Sequence, residues 1–136
     1  MIPAARLLAD ARTIAVVGAS PRPWRHSHHV MAYLLERGYR VVPVRPRDCE
    51  EVLGVPVVES LAEIDGPIDI VDVFRRAEFA PDVAREAVAA GAGALWLQTG
   101  IVSAEARAIA EGAGLVYVED ACAMVVHRLY LSAGSR

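Results

Sequence analysis

The sequence predicts an α/β protein with a single doubly wound, mostly parallel five-stranded, Rossmann-like sheet and helices on both of its faces. Three observations lead to this prediction. Apolar, β-branched runs recur at regular intervals, segments with helical spacing separate them, and the runs are almost continuously apolar. Strands that are apolar on both sides are typical of parallel sheets covered by helices on both faces. The length suits one domain, which we predict to span residues 1–136.

The five apolar runs are the predicted strands of this sheet. They are residues 13–17 (TIAVV), 39–44 (YRVVPV), 68–74 (IDIVDVF), 94–98 (ALWLQ) and 115–119 (LVYVE). The segment 46–60 lacks such a pattern, but GVPVVES within it is expected to add a short edge strand.

Helical spacing fills the intervals between these runs. A short helix is predicted at residues 3–11, ahead of the first strand. The helix after the first strand is expected to end at Gly38, because glycine is common just past a helix end. Apolar residues at four-residue steps predict a helix over 79–87. Ser103 is placed to cap the helix that precedes the last strand.

Composition and charge exclude several classes of function. The net charge is −3, which does not favour a general binder of nucleic acid or of membrane surfaces. No apolar run approaches the ~20 residues of a membrane span. The N-terminal segment has no signal-peptide core, so we expect a cytoplasmic protein. The two cysteines, Cys49 and Cys122, are too few and too far apart for a disulfide framework or a zinc site.

Ligands of doubly wound sheets bind beyond the carboxyl ends of the strands, near the point where the strand order reverses. This rule selects the loops that follow the five predicted strands. They are Gly18–Arg25, Arg45–Arg47, Phe74–Arg76, Gln98–Val102 and Glu119–Cys122.

The first of these loops has the features of a phosphate site. Gly18 permits a tight turn, and Ala19 and Ser20 are small enough for a ligand to approach the backbone. The N-terminus of the next helix favours an anion, to which Ser20, Arg22 and Arg25 can add contacts. The alternative is an ordinary strand-to-helix turn with solvated arginines.

The usual dinucleotide fingerprint is missing here. It would require two further glycines soon after Gly18 and an acidic residue about 20 positions later to hold the ribose. The next glycine is Gly38, and the second strand is followed by Arg45 and Arg47. Two arginines suit a ligand with an extra ribose phosphate, which leaves NADP or coenzyme A and disfavours NAD.

Several blocks together resemble the stand-alone CoA-binding proteins. They are VVGAS, RPWRHSHHVMAYLLERGYRVVPVRP, EVLGVPVVESLAEI, DIVDVFRRAE, LWLQTGI and GLVYVEDAC. These proteins are single Rossmann-like domains similar to the CoA-binding domain of the succinyl-CoA synthetase α subunit. The resemblance covers about residues 10–130.

The resemblance implies a set of contacts to coenzyme A. The pyrophosphate is expected on Gly18, Ala19, Ser20 and the start of the next helix, the adenosine near Val44, Arg45, Pro46, Phe74, Arg75 and Arg76, and the pantetheine toward Gln98, Gly100 and Ile101. The chain also departs from the family pattern. Arg45 stands where relatives have asparagine, Ala121 where they have arginine, and Val126 where they have glutamate before His127.

Other chemically notable residues predict little by themselves. His26, His28 and His29 do not share one helix face and have no nearby acidic ligand, so no metal site is predicted. Asp72 is interpreted as a strand-end cap or turn residue. Cys122 is either a small buried residue or a thiol that forms a mixed disulfide with coenzyme A.

The leading hypothesis is a cytoplasmic protein that binds coenzyme A or an acyl-CoA as a carrier, sensor or accessory protein. No catalytic constellation, nucleic-acid site or membrane contact is predicted, and a protein partner or homo-oligomer stays open. The alternatives are an NADP-dependent oxidoreductase and a degenerate Rossmann domain that binds no ligand and serves as an interaction module.

Overall fold

A computed structural model describes residues 1–131 of the chain. Its elements, in chain order, are α1 Pro3–Asp10, β1 Thr13–Val17, α2 His26–Glu36, β2 Arg40–Val44, β3 Glu51–Val52, β4 Val55–Pro56, β5 Ile70–Val73, α3 Ala80–Ala89, β6 Ala94–Leu97, α4 Ala104–Gly112, β7 Val116–Val118 and α5 Ala123–Tyr130, with short 3-10 turns at Leu61–Glu63 and Ala77–Phe79. The last residues of the predicted domain, 132–136, lie outside the described residues.

The main sheet confirms the predicted fold class. Its five strands run in the order β2-β1-β5-β6-β7, and every neighbouring pair is parallel. The strand order therefore reverses between β1 and β5. Val17 and Val73 are register partners at the carboxyl ends of these two strands. The loops that follow them meet at the point where ligands of doubly wound sheets bind.

Successive side chains along each strand point to opposite faces of the sheet, and a hydrophobic layer covers each face. Ile14 and Val16 face the layer formed by α1, α2 and α5. Ala15 and Val17 face the layer formed by α3 and α4. Five buried alanines of α3 and α4 face this second layer, which we call the alanine layer: Ala80, Ala84, Ala87, Ala106 and Ala110. Because their side chains are small, α3 and α4 pack closely on the sheet and on each other.

Two predicted helix ends, the start of α4 at Ser103 and the end of α2 before Gly38, are also confirmed. The Ser103 hydroxyl accepts a hydrogen bond from the Ala106 N–H at 3.1 Å and caps α4. Gly38 follows α2 with a φ of +92°, a conformation that glycine adopts without strain.

The expected short strand within residues 54–60 is present as β4, but it does not extend the main sheet. The segment folds back as an antiparallel ribbon of β3 and β4, outside the main sheet. Leu53 and Gly54 both have positive φ, which is the turn geometry that reverses a chain within two residues. Only Val58 reaches the main sheet, through one bridge to Val44.

Candidate ligand-binding site

The loop after β1 and the turn after β5 touch at Gly18. This glycine has a φ of +91°, and a Cβ placed there would lie 3.2 Å from the carbonyl carbon and oxygen of Phe74 and from Cγ of Arg75. Its N–H donates to the Val44 carbonyl at 3.0 Å. Both the backbone conformation and the close approach therefore require glycine at this position.

The N-terminus of α2 opens beside this loop. No side chain caps the helix, and the Arg25 carbonyl accepts hydrogen bonds from the N–H groups of His28 and His29. The N–H groups of His26 and Ser27 belong to the first turn, where a helix offers no acceptor of its own. They can bind an anion.

A polar cavity of about 340 Å³ lies at this helix terminus. It is lined by Gly18, Ala19, Ser20, Arg22, Arg25, His26, Ser27, Arg45 and Phe74. Within residues 1–131, neither Arg22 nor Arg25 forms an ion pair. The cavity combines uncompensated positive charge with first-turn N–H groups, which is the chemistry that binds phosphate.

A second cavity, of about 400 Å³, lies beyond the carboxyl ends of β1 and β2, and we call it the strand-end cavity. It is lined by Val17, Gly18, Val44, Arg45, Pro46, Glu59, Arg75, Asp82, Val83 and Glu86. Its apolar residues form one part of the wall, and three carboxylates with two guanidiniums form the rest. Burial raises the pKa of the Glu86 carboxyl, while nearby Arg75 opposes that rise.

Arg45 stands between the two cavities and lines both. Its Nη1 donates to the Ala19 carbonyl at 2.9 Å, and its Nη2 donates to Asp48 Oδ1 at 2.9 Å. The latter hydrogen bond lowers the pKa of the Asp48 carboxyl. The side chain is only 16% exposed and fully engaged, so it acts as a fixed wall between the cavities.

The other arginines near this edge differ in whether their guanidinium groups are available to bind a ligand. Arg75 lies with its Cζ 4.1 Å from the centre of the Phe79 ring, and it has no ion pair within the described part of the chain. Arg76 pairs with Glu78 and lines neither cavity. Arg47 forms ion pairs with two glutamates. Arg75 is therefore the guanidinium that the strand-end cavity offers to a ligand.

The residues predicted on the pantetheine side are not brought into either cavity. Gln98 is only 2% exposed and turns inward. The Gly100 N–H donates to Asp120 Oδ1 at 2.7 Å, and the Ile101 carbonyl accepts from the Asp120 N–H at 3.2 Å. This loop is thus tied to the loop after β7, and its contact with a ligand stays a prediction.

Asp72 is not the strand-end or turn residue that the sequence predicts. It lies within β5 and is fully buried, and its Oδ1 accepts a hydrogen bond from Gln98 Nε2 at 2.5 Å. Asp72 Oδ2 and Gln98 Oε1 are buried without a partner in the described region. Burial raises the pKa of Asp72 to about 7. A proton on Oδ2 can be donated to Gln98 Oε1, which would satisfy both atoms.

A contact between two distant parts of the chain was also missed by sequence reasoning. Cys122 Sγ lies 3.5 Å from Nε2 of His26, although the two residues are 96 positions apart. Cys122 itself is 7% exposed. Across residues 1–131, no three histidine, cysteine or acidic side chains are grouped for a metal ion.

No helix within residues 1–131 is long and apolar enough to cross a bilayer.

The fold and the paired cavities at the strand-order reversal define a class of protein, the Rossmann-like α/β domain with cavities at the carboxyl edge of its sheet. Residues 12–128 match the family model described as a CoA binding domain. The chain therefore belongs to the family of CoA-binding domains, and the resemblance identified from its sequence blocks is confirmed.

Relatives of known sequence or structure are consistent with this assignment. The uncharacterized protein YneT of Bacillus subtilis is 46% identical over 121 residues, which cover 89% of each chain. A solved structure of a hypothetical protein from Pyrococcus horikoshii is 38% identical with a TM-score of 0.91, over 95% of this chain and 90% of that one. The α subunit of an ADP-forming acetate–CoA ligase from Pyrococcus furiosus is 32% identical over 84 residues, 58% of this chain and 18% of that subunit.

Proposed function

We propose that this protein binds coenzyme A or an acyl-CoA across the two cavities at the carboxyl edge of its sheet. The observation that carries the proposal is that the two cavities adjoin, since they share Gly18 and Arg45 as lining residues. A ligand with a central pyrophosphate and an adenosine at one end matches a polar cavity beside a partly apolar one.

The polar cavity suits the pyrophosphate. Its first-turn N–H groups, the Ser20 hydroxyl and the two unpaired arginines, Arg22 and Arg25, offer donors and positive charge on several sides. The glycine at position 18 lets the phosphates approach the backbone, because no side chain stands in that path.

The strand-end cavity suits the adenosine. Val17, Val44 and Pro46 offer apolar surface to the adenine ring. The carboxylates at its wall can accept hydrogen bonds from the adenine amino group and the ribose hydroxyls. Arg75 supplies the charge for the 3′-phosphate.

Family membership supports coenzyme A as the ligand, and the names of more distant relatives point the same way. The ligase from Pyrococcus furiosus acts on coenzyme A by its name, and this chain is similar to part of that subunit. We propose a carrier, sensor or accessory role for the domain in which the bound CoA is recognised and not transformed.

Titration calorimetry with coenzyme A, dephospho-CoA and NADP tests the proposal. We expect saturable heat with coenzyme A and weaker binding of the other two ligands. Preferred binding of NADP would support an oxidoreductase, and no heat with any ligand would support an interaction module. Either of these two results would overturn the proposal.

Replacing Arg75 by glutamine is expected to weaken coenzyme A binding about tenfold or more, because a charge-assisted hydrogen bond to phosphate contributes ~1.5–3 kcal/mol. Dephospho-CoA lacks the 3′-phosphate, so its affinity should hardly change. Arg76→Gln is the matched control, since Arg76 lines neither cavity. Equal losses for both ligands in Arg75→Gln would show that Arg75 does not contact that phosphate.

A further inference from the structure

We propose that Cys122 and His26 form a thiol–imidazole pair that exchanges disulfides with the thiol end of a coenzyme A ligand whose pyrophosphate lies in the polar cavity. The inference rests on the proposed function for the identity of that ligand. The pair itself rests on a separate observation, the 3.5 Å contact between Cys122 Sγ and His26 Nε2.

The pair connects the polar cavity to the thiol. His26 is the first residue of α2 and lines the cavity, and its ring packs edge-on against Phe74 with 5.8 Å between the ring centres. Cys122 directly precedes α5, and its sulfur contacts the His26 ring without lining the cavity itself. Because the His26 side chain is exposed, its ring is free to turn, and the proposal requires such a rotation for the thiol to meet the ligand.

The loop that presents Cys122 is held in place on both sides. The Trp96 indole N–H donates to the Ala121 carbonyl at 2.8 Å, and the Asp120 carboxylate accepts from the Gly100 N–H. Asp120 also has a φ of +52°, a conformation that non-glycine residues adopt at a cost. The surrounding contacts thus fix the sulfur beside the imidazole.

The second cysteine of the chain provides an internal comparison. Cys49 Sγ donates its proton to the Glu51 carbonyl at 3.1 Å, and it follows the carboxylate of Asp48 in sequence. It has no imidazole partner within residues 1–131. We expect Cys122 to be the more reactive thiol, because a base lies beside it, whereas Cys49 has only a carbonyl acceptor.

The exchange is balanced with CoA disulfide as the co-reactant. His26 Nε2 accepts the Cys122 thiol proton as the sulfur attacks one sulfur of CoA disulfide. The disulfide bond of the reagent breaks, a Cys122–CoA disulfide forms, and one CoA thiolate leaves and takes up the proton from the imidazole. One disulfide is consumed and one is formed, so no external oxidant or reductant is needed.

The first experiment incubates the folded protein with CoA disulfide and follows it by intact-mass and peptide mass spectrometry. We expect one CoA adduct on Cys122, which dithiothreitol removes. Cys122→Ser should take up no adduct, and Cys49→Ser should react like the unsubstituted protein. Labelling of Cys49 first, or labelling of Cys122 only after unfolding, would overturn the proposal.

The second experiment uses 4,4′-dithiodipyridine, a small disulfide that does not need the CoA site. His26→Asn keeps a planar polar side chain but removes the base, so we expect Cys122 to react at least about tenfold more slowly with this reagent, over a pH profile that changes shape. An unchanged rate and profile in His26→Asn would overturn the role of His26.

The two experiments separate this inference from the proposed function. Coenzyme A binding by calorimetry without any Cys122 adduct would overturn the inference alone. Fast reaction of Cys122 with the small disulfide, without binding of coenzyme A and without a CoA adduct, would overturn the proposed function and with it the ligand assigned to the pair.

Discussion

Valine in place of Gly18 is expected to abolish coenzyme A binding while the sheet still folds. The new side chain would have to fit 3.2 Å from the Phe74 backbone and from the Arg75 side chain, and it would project into the path proposed for the pyrophosphate. Loss of two phosphate contacts corresponds to a drop in affinity of at least about 100-fold. Titration calorimetry measures this loss, and circular dichroism checks that the variant is folded.

Gly38→Val is the matched control for this experiment. Gly38 has a φ of +92°, almost the same as Gly18, but a Cβ at Gly38 meets nothing within 4 Å. The two variants therefore share a backbone strain of roughly 1–2 kcal/mol and differ in close approach to the site. We expect Gly38→Val to bind coenzyme A normally. If a folded Gly18→Val variant bound as well as Gly38→Val, the phosphates would lie elsewhere.

Asp72→Asn is expected to change how the free energy of unfolding depends on pH. The folded pKa of about 7 lies above the ordinary aspartate pKa of 3.8, so folding favours the protonated acid. Its stabilising contribution is fully present below pH 3.8 and is lost as the pH rises through 7. For a fully buried group, the difference between the two pKa values corresponds to about 4 kcal/mol. An asparagine has no such proton to lose and can still exchange hydrogen bonds with Gln98.

Urea unfolding between pH 5 and pH 8 measures this effect. Relative to the unsubstituted protein, Asp72→Asn should gain about 2–3 kcal/mol of stability over this range. Asp82→Asn is the control, because its carboxylate is exposed on α3 and should leave the profile of the unsubstituted protein unchanged. A pH-independent difference for Asp72→Asn would mean that Asp72 is not protonated in the folded protein.

The main sheet could be predicted because its strands carry a strong local signal. Each apolar run has a glycine or a proline directly before or after it, and all five appear in the structure at the predicted places. Gly18 could also be identified, since a glycine after the first strand of such a sheet has a specific geometric reason to be there. These signals lie within a few consecutive residues.

The rest of the site depends on contacts between distant residues, which local patterns do not report. Asp72 was misinterpreted because one acidic residue in an apolar run suggests a strand end, whereas the sheet buries it against Gln98 from the next strand. The proximity of His26 and Cys122 arises only when the ends of β1 and β7 reach the same edge of the sheet. The pairing of the strand within residues 54–60 was not predicted, because a two-residue turn directs it onto β3 and leaves Val58 a single bridge to the main sheet.

The alanine layer has a consequence for the entropy of the folded state. Alanine loses no side-chain rotamer freedom when it is buried, so α3 and α4 become ordered without that entropic loss. Longer side chains such as Met31, Tyr33 and Met124 lie on the opposite face with α2 and α5. Burial of the five alanines therefore costs no rotamer freedom, whereas ordering Met31, Tyr33 and Met124 on the opposite face does.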